Sequence, residues 1–272
     1  MLFRSTLADY MRYALGHPEH GYYATRDPLG RDFVTAPEVS QMFGELVGML
    51  LLSLWEQTGR PQDFVLLEMG PGRGTLMADL LRAAKIRPDF LAAAHVCLLE
   101  TSPALRALQE KTVSHPRLQW VQNFDAVPAE RPLFAIANEF FDALPIRQFE
   151  RIKGQWHERM VGAEDGALVL KLAPQACADP ALPPDAPEGA IYEICPEARA
   201  LTAALARHIA RKSGAALLID YGHAQSGFGD TFQAMKAHRY ADPFAEPGET
   251  DLTAHADFAA LAKIAEIGRA HV

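Results

Sequence analysis

The sequence predicts an α/β protein in which a doubly wound, mostly parallel sheet is joined by a small antiparallel β insert and an N-terminal helical segment. Short apolar runs, such as residues 64–68 and 96–100, alternate with helical patterns, which is typical of strands buried on both faces of a parallel sheet. From residue 146 to residue 172 the pattern changes to alternating strands separated by polar turns, which indicates an antiparallel meander. These patterns predict one large α/β unit with an insert.

The individual elements follow from periodicity and capping residues. Thr35, Pro37 and Glu38 have the pattern of a helix start, so a helix should run from Thr35 to about residue 58. Ser102 should cap a helix that begins at Pro103 and ends near residue 112. The remaining predictions are helices at 7–14, 75–84 and 196–211, strands at 118–121, 133–137, 191–194 and 215–220, and an exposed loop at 173–189.

We divide the chain accordingly. Residues 6–60 form an N-terminal helical and loop segment that contributes to the site, and residues 61–145 and 212–265 form the main sheet with its helices. Residues 146–211 form the insert, which consists of the meander and one helix. Residues 2–5 and 266–272 resemble translated sequencing adapters, so we set both apart from the fold.

Composition limits the classes of function. The chain has 272 residues, three cysteines and a formal charge of −8 at pH 7. Three scattered cysteines make no disulfide framework, which fits a reducing cytoplasm, and the negative charge argues against a nucleic-acid partner. The longest apolar stretch, residues 46–55, is too short to span a bilayer, and His17 and His20 lack a metal-ligand set. We therefore expect no membrane insertion and no metal.

The sharpest motif runs from Glu68 to Thr75, directly after a buried strand and at the start of a helix. Its alternate glycines let the backbone approach a ligand closely, and the helix N-terminus offers free N–H groups to an anion. A dinucleotide site would need glycine in place of Thr75, and a nucleoside triphosphate loop would need a lysine that is absent. S-adenosylmethionine, with its methionine carboxylate as the anion, fits better, and the alternative is a purely structural strand–helix corner. The residues assigned to the cofactor here are Glu68, Gly70, Pro71, Gly72, Gly74 and Thr75.

Polar residues that follow the next strands extend this site. Glu100, at the carboxyl end of the second strand, either accepts hydrogen bonds from the ribose hydroxyls or is a solvated strand-end carboxylate. Asn123 follows the third strand, where it either contacts the adenine amino group or simply occupies a turn. Asn138, at the end of the fourth strand, is also assigned to the cofactor.

The loop after the fourth strand should face the transferred methyl group, because ligands bind at the carboxyl edge of open parallel sheets. Glu139 and Asp142 are therefore the candidate catalytic residues, since their carboxylates match a planar guanidinium and can position it. Phe140 and Phe141 either wall the pocket or fill the core. Asp220 either contacts the acceptor or simply ends the fifth strand.

Several strings together resemble the MidA-like family of class I S-adenosylmethionine-dependent methyltransferases. The motif from Glu68 to Thr75 is shared by many methyltransferases, whereas the other strings are more specific to this family. These other strings are Gly21-Tyr22-Tyr23, residues 32–45 with PEVSQ at 37–41, NEFFD at 138–142, DYGH at 220–223 and DLTAH at 251–255.

This resemblance implies a Rossmann-like class I methyltransferase sheet, S-adenosyl-L-methionine as the donor and a protein arginine as the acceptor. The protein substrate is expected to be a core subunit of respiratory complex I during its assembly. Thr35, Ser40 and Gln41 are expected near the cofactor or the acceptor. We expect a bacterial cytoplasmic location, with the mitochondrial matrix indicated only by analogy with family members. The alternative function is a non-catalytic, cofactor-binding assembly factor for complex I.

Family members continue well past Phe258 and supply two further strands, so we interpret the chain as truncated at its C-terminus. The strand at 215–220 should then be an unpaired apolar edge, which favours aggregation. We expect poor solubility and an incomplete acceptor site, so that this piece alone need not be active.

Overall fold

A computed structural model describes residues 4–25 and 35–270. Asp32, Phe33 and Val34 of the family-specific string lie outside the described residues. The described helices are α1 (Leu7–Gly16), α2 (Tyr22–Thr25), α3 (Ala36–Val39), α4 (Gln41–Gln57), α5 (Thr75–Ala83), α6 (Pro88–Ala93), α7 (Pro103–Thr112), α8 (Pro196–Lys212) and α9 (Phe258–Ala270). The described strands are β1 (Arg4–Thr6), β2 (Phe64–Met69), β3 (Ala94–Leu99), β4 (Leu118–Val121), β5 (Leu133–Asn138), β6 (Arg147–Ile152), β7 (Gln155–Glu164), β8 (Ala167–Cys177), β9 (Ile191–Ile194), β10 (Gly214–Ile219), β11 (Gly222–His223), β12 (Gln233–Lys236), β13 (Arg239–Ala241), β14 (Asp251–Thr253) and β15 (Ala256–Asp257).

The predicted parallel sheet is confirmed, with strand order β10-β5-β2-β3-β4 and parallel pairing throughout. Successive residues of β2 point to opposite faces, and all six are buried. Phe64 and Leu66 pack into one hydrophobic cluster, while Val65 and Leu67 pack into another. Two-sided burial explains why this strand is a continuous apolar run in the sequence.

Helices cover both faces of this sheet. On one face α4 and α5 approach closely, because a Cβ added at Gly48 would lie 3.0 Å from the Cα of Leu80. On the other face α8 and α9 pack together against the sheet through Ala198, Leu205 and Leu261. Helix α8 therefore packs on the main sheet, although the division of the chain by sequence placed it in the insert at 146–211.

The insert is an antiparallel sheet, as predicted. Strand β7 pairs with β6, β8 and β1, and β6 also pairs with β9. Two expectations are corrected here. Strand β8 continues to Cys177, so the expected loop at 173–189 begins later, and Arg4 to Thr6, near the N-terminus, form a strand although residues 2–5 were set apart from the fold. Helix α9 likewise continues to Ala270 into the C-terminal segment that was set apart.

The helix predicted from Thr35 to about residue 58 is two helices. The backbone of Ser40 is extended, with φ −153°, and its hydroxyl accepts a hydrogen bond from the N–H of Met42, which starts α4 anew. Thr35 precedes α3 but its side chain makes no capping hydrogen bond. The turn at Ser40 places α3 beside the glycine loop, where α3 and α5 are in contact.

Two features of the described chain concern its surface. Strand β10 pairs on one side with β5 and forms an edge of the parallel sheet within the described residues, as the sequence predicted. No helix in the described ranges is both long and apolar enough to cross a membrane. Small sheets formed by β11 with β15 and by β12, β13 and β14 were not predicted.

Candidate active site

A cavity of about 430 Å³ opens at the carboxyl ends of β2, β3 and β5 and extends toward α1. It joins the glycine loop to the N-terminal segment and to the loop after β5, which are distant in sequence. Its lining residues are Met11, Arg12, Leu15, Gly16, Tyr23, Thr35, Pro37, Glu38, Glu68, Gly70, Pro71, Gly72, Arg73, Thr75, Leu76, Leu99, Glu100, Thr101, Leu105, Asn138, Glu139, Phe140, Ala143, Leu144, Pro145 and Glu197.

The glycine loop has a backbone that only glycine adopts without strain. Gly70, Gly72 and Gly74 have φ values of +65°, +53° and +84°. A Cβ added at Gly70 would also lie 2.6 Å from Cδ2 of Phe140, which is closer than carbon atoms approach. Gly74 precedes the first turn of α5 in the left-handed conformation. The loop therefore presents bare backbone to the cavity.

Glu68, the last residue but one of β2, is a buried carboxylate at the base of this loop. Its side chain is only 3% exposed, and the N–H of Met77 donates a hydrogen bond to it. Burial, together with the nearby Glu100 charge, raises the pKa of Glu68 to about 8. Its Oε2 atom has no hydrogen-bond partner among the described residues, although the residue lines the cavity. Such an oxygen is suited to accept a hydrogen bond from a cationic ligand.

Glu100 is tied to the glycine loop by a residue that sequence reasoning missed. The side-chain amide of Gln109 donates to the carbonyl oxygen of Gly72 at 2.7 Å and to Oε2 of Glu100 at 2.9 Å. The N–H of Ser102 donates to Oε1 of Glu100 at 2.7 Å. Burial raises the pKa of Glu100 above its usual range. The backbone N–H of Thr101 also donates to this carboxylate, so three donors leave about one lone pair for a ligand hydroxyl.

Glu38 links the N-terminal segment to the same loop. The hydroxyl of Thr75 donates to Oε1 of Glu38 at 2.6 Å, and Arg73 lies 3.3 Å from Oε2. The sequence indicated Glu38 only as part of a helix start, because nothing in the local pattern shows a partner 37 residues away. Thr35, Pro37 and Glu38 of the N-terminal segment thus lie in the wall of the cavity.

Glu139 lies in the cavity wall directly after β5, the strand that pairs with β2. Its backbone has φ +50°, a left-handed conformation that is uncommon for a residue with a side chain. The N–H of Ala36 and the side-chain amide of Asn138, at 3.5 Å, donate to its carboxylate. Burial raises the pKa of Glu139 above its usual range, and the Asp220 charge adds to this. A carboxylate on the cavity wall with a raised pKa is suited to hold a cation or take up a proton.

Asp142 does not line the cavity formed by the described residues. It belongs instead to a buried acidic group with Asp251 and Asp220, next to Tyr23, whose hydroxyl donates to Oδ1 of Asp251 at 2.8 Å. Burial raises the pKa of Asp142 well above its usual range, and the charges of Asp220 and Asp251 act in the same direction. Tyr23, which sequence reasoning did not select as a site residue, lines the cavity and also contacts this acidic group.

Besides Asp142 and Asp220, five predicted site residues lie outside the cavity wall, namely Gly74, Asn123, Ser40, Gln41 and Phe141. Asn123 is exposed, and its side chain accepts a hydrogen bond from the N–H of Ala126, so it caps a short turn. Gln41 is exposed, and Ser40 caps α4. Phe141 is buried in the core beside the sheet, whereas its neighbour Phe140 lines the cavity, so each of the two interpretations holds for one ring.

Asp220, the remaining predicted residue, follows β10 and faces the loop after β5. Its carboxylate accepts hydrogen bonds from the backbone N–H groups of Phe140, Phe141 and Asp142 at 2.7–3.2 Å. It does not line the cavity. The main contacts of Asp220 are therefore with the backbone of the loop that carries Glu139.

Residues 46–272 match the family model of S-adenosyl-L-methionine-dependent methyltransferases. The chain is 37% identical, over 96% of its length, to the mitochondrial protein arginine methyltransferase NDUFAF7 homolog of Drosophila melanogaster. It is 34% identical, again over 96% of its length, to the mitochondrial protein arginine methyltransferase NDUFAF7 of Homo sapiens. The chain spans 66% and 65% of the lengths of these two relatives.

A solved structure shares the fold. The chain superposes with a TM-score of 0.79 on a COG1565 superfamily member from Burkholderia thailandensis bound to S-adenosyl-homocysteine. The sequence identity is 28%, and the match covers 97% of this chain and 72% of the other.

Proposed function

We propose, from the premise that this chain belongs to the S-adenosyl-L-methionine-dependent methyltransferase family, that it transfers the methyl group of this cofactor to an arginine side chain of a protein. The observation that carries the proposal is the cavity itself, whose lining brings the glycine loop, Glu68 and Glu100 together with Glu139. Relatives that are about one third identical are protein arginine methyltransferases. The cavity lining carries five glutamates against two arginines, which favours cationic ligands.

The residues present fit the cofactor. The left-handed turns at Gly70 and Gly72 bring the backbone of the loop into the cavity wall, where a ligand can contact it. The free oxygen of buried Glu68 is suited to the ammonium group of the methionine half, and Glu100 is suited to the ribose hydroxyls. When bound, the cofactor supplies an electrophilic methyl group on a sulfonium.

Glu139 is the residue we propose to hold the acceptor. Its carboxylate would bind the guanidinium through charge-assisted hydrogen bonds and so orient one nitrogen. In the transfer a nitrogen–carbon bond forms, the sulfur–carbon bond breaks, and the nitrogen loses a proton. Glu139 is suited to take up that proton, because burial has raised its pKa. Asp142 acts behind Tyr23, as part of the acidic group that favours a cation in this region.

The other predicted cofactor residues keep narrower roles in the proposal. Pro71, Gly74 and Thr75 shape the glycine loop, and Asn138 orients Glu139. Asn123 remains a candidate for the adenine only if its turn opens. Ser40 and Gln41 support the segment that carries Glu38, rather than touching the ligand.

The partner we propose is a core subunit of respiratory complex I, acting as the acceptor during assembly. This rests on the resemblance of the family-specific strings to MidA-like proteins. The relatives named above are mitochondrial proteins. We propose a bacterial cytoplasmic location for this chain, which its three free cysteines suit.

The test uses radiolabelled S-adenosylmethionine and complex I core subunits purified from a host that lacks this gene. We expect label on one arginine of one subunit, identified by mass spectrometry. The Gly72→Val variant should lose S-adenosylhomocysteine binding by calorimetry and lose transfer, while Gly154→Val, in an open hairpin turn, should keep both. Cofactor binding without transfer to any subunit would contradict the arginine proposal. Partner binding that survives Gly72→Val would instead support the non-catalytic assembly factor.

A further inference from the structure

The carboxylate of Asp220 accepts hydrogen bonds from four backbone N–H groups. Its Oδ2 accepts from Phe140 at 3.0 Å, from Phe141 at 2.7 Å and from Asp142 at 3.2 Å. Its Oδ1 accepts from the N–H of Tyr221 at 2.8 Å. Three consecutive N–H groups on one oxygen fix the path of the backbone, because each N–H in the loop must point toward the same atom.

The loop needs such a fixed point, because its first residue is strained. Glu139 has φ +50°, and its N–H donates to the carbonyl oxygen of Ile219 at 2.9 Å. A left-handed conformation in a residue with a side chain persists only where the surroundings hold it. Asp220 and Ile219, both from the end of β10, supply those surroundings from the neighbouring strand.

The path of this loop decides where its side chains lie. Glu139 and Phe140 line the main cavity, while Phe141 lies in the core beside the sheet. The ring of Phe140 also packs against Gly70, since a Cβ there would lie 2.6 Å from its Cδ2 atom. The carboxylate of Asp220 thus fixes the backbone that places Glu139 in the cavity wall and the ring of Phe140 against Gly70.

We propose that Asp220 is a positioning residue, which aims the Glu139 carboxylate by holding the backbone of residues 140–142. Asp220 does not line the cavity, and four donors already bind its two oxygens, so it makes no contact with the transferred group. This rests on the proposed function in one respect, namely that Glu139 holds the acceptor.

Three variants of the full chain separate position from charge. Asp220→Ala removes both carboxylate oxygens. Asp220→Asn keeps one oxygen for the three backbone N–H donors of the loop, and Asp220→Glu keeps the charge but lengthens the side chain. Asp257→Ala is the matched control, because Asp257 accepts from Ser226 and the N–H of Ala260 on the nearby β15–α9 junction and not from the loop. The readouts are amide hydrogen exchange of the 138–142 peptide, S-adenosylhomocysteine affinity, and kcat and KM for the acceptor subunit.

Asp220→Ala should speed exchange of the loop amides at least about tenfold and lower kcat about 100-fold, with cofactor affinity changed by no more than about threefold. Asp220→Asn should keep kcat within about tenfold of the natural protein. Asp257→Ala should leave loop exchange unchanged. If Asp220→Ala does not fold, Asp220→Glu decides, since a displaced loop should lower kcat about 100-fold although the charge remains.

Two results would overturn the proposal. One is full kcat in Asp220→Ala or Asp220→Glu. The other is Asp220→Asn with natural loop exchange and with no activity, which would make the charge itself chemically necessary. The exchange readout requires no acceptor, so a natural protein that transfers no methyl group would refute the proposed function while the exchange data still show whether Asp220 holds the loop.

Discussion

Gln109 donates a hydrogen bond to the carbonyl oxygen of Gly72, at 2.7 Å, from the middle of α7. The same amide donates to Glu100, and its oxygen accepts from the indole N–H of Trp120 at 2.9 Å. Gln109 has no exposed surface, so water cannot replace these partners. The glycine loop and the carboxylate after β3 are therefore held as one unit before any ligand arrives.

This relationship predicts the effect of Gln109→Met. Methionine has a similar volume but leaves the Gly72 oxygen, Glu100 and the Trp120 N–H without this partner. Losing the amide should lower the free energy of unfolding by about 2–4 kcal/mol and weaken S-adenosylhomocysteine binding about tenfold. Urea denaturation and calorimetry measure the two effects. The exposed Gln122 provides the control, since Gln122→Met should change neither. Unchanged cofactor affinity in a folded Gln109→Met protein would contradict the role given to Gln109.

A second prediction separates the cost of placing a side chain on a left-handed backbone from the cost of a steric clash at the Cβ position. Gly70 and Gly166 both have left-handed backbones, with φ +65° and +82°, but only Gly70 has a neighbour at its Cβ position, the ring of Phe140. Gly166→Ala should cost about 1–2 kcal/mol of stability and leave cofactor affinity unchanged. Gly70→Ala should cost more, because the ring must also move, and should weaken S-adenosylhomocysteine binding at least about tenfold. Equal stability loss in the two variants would show that the Phe140 contact is unimportant.

The sequence predicted the parts of the fold that local patterns determine. The run from Phe64 to Leu67 could be identified as a buried strand because it is continuously apolar. Ser102 could be identified as a helix cap because capping depends on residues that are close in sequence. The hydroxyl of Ser102 does accept from the N–H of Leu105. The same local reasoning failed at Ser40, where the cap of a second helix lies within a pattern that reads as one.

The candidate site divides in the same way. The glycine loop, Glu100 and Glu139 could be predicted because each follows a strand, and the carboxyl ends of parallel strands share one edge of the sheet. Gln109 and Tyr23 could not, because their roles come from partners far away in the chain, such as Asp251 for Tyr23. In the sequence Asp142 looked equivalent to Glu139. In the structure the turn that follows Glu139 directs Asp142 away from the cavity and toward the acidic group that it forms with Asp220 and Asp251.

A third prediction concerns an exposed apolar stripe on α3 and α4. Val39, Met42 and Leu46 are 73%, 63% and 65% exposed, and Leu50 continues the row. Together with the edge strand β10, this surface favours self-association. The double variant Met42→Lys, Leu46→Lys should shift the protein from aggregates toward a monodisperse peak in size-exclusion chromatography, with the melting temperature unchanged. Leu51→Lys, on the buried face of α4, should instead prevent folding. A chain that is already monodisperse would refute the expected poor solubility.

The last prediction follows from the pKa of Glu68. Its pKa of about 8 in the folded protein exceeds the ordinary 4.5, so the folded state binds this proton more tightly than the unfolded state. The resulting stabilisation is fully present below about pH 4.5 and is lost as the pH rises through about 8. The free energy of unfolding should fall across this window by at most about 1.4 kcal/mol per pH unit from this one group.

The variant Glu68→Gln isolates this contribution. Glutamine remains neutral, so the variant should gain stability over the natural protein with rising pH, by at most about 4 kcal/mol at pH 9 compared with pH 5. Part of the slope should remain, because burial raises the pKa of Glu100, Glu139 and Asp142 in the same direction. Glu266→Gln, at an exposed position, makes the same charge change and should leave the profile of the natural protein unaltered. Urea denaturation of the three proteins from pH 5 to pH 9 gives the comparison. Parallel profiles for Glu68→Gln and the natural protein would mean that Glu68 is ionised in the folded state across this range, which would contradict the raised pKa.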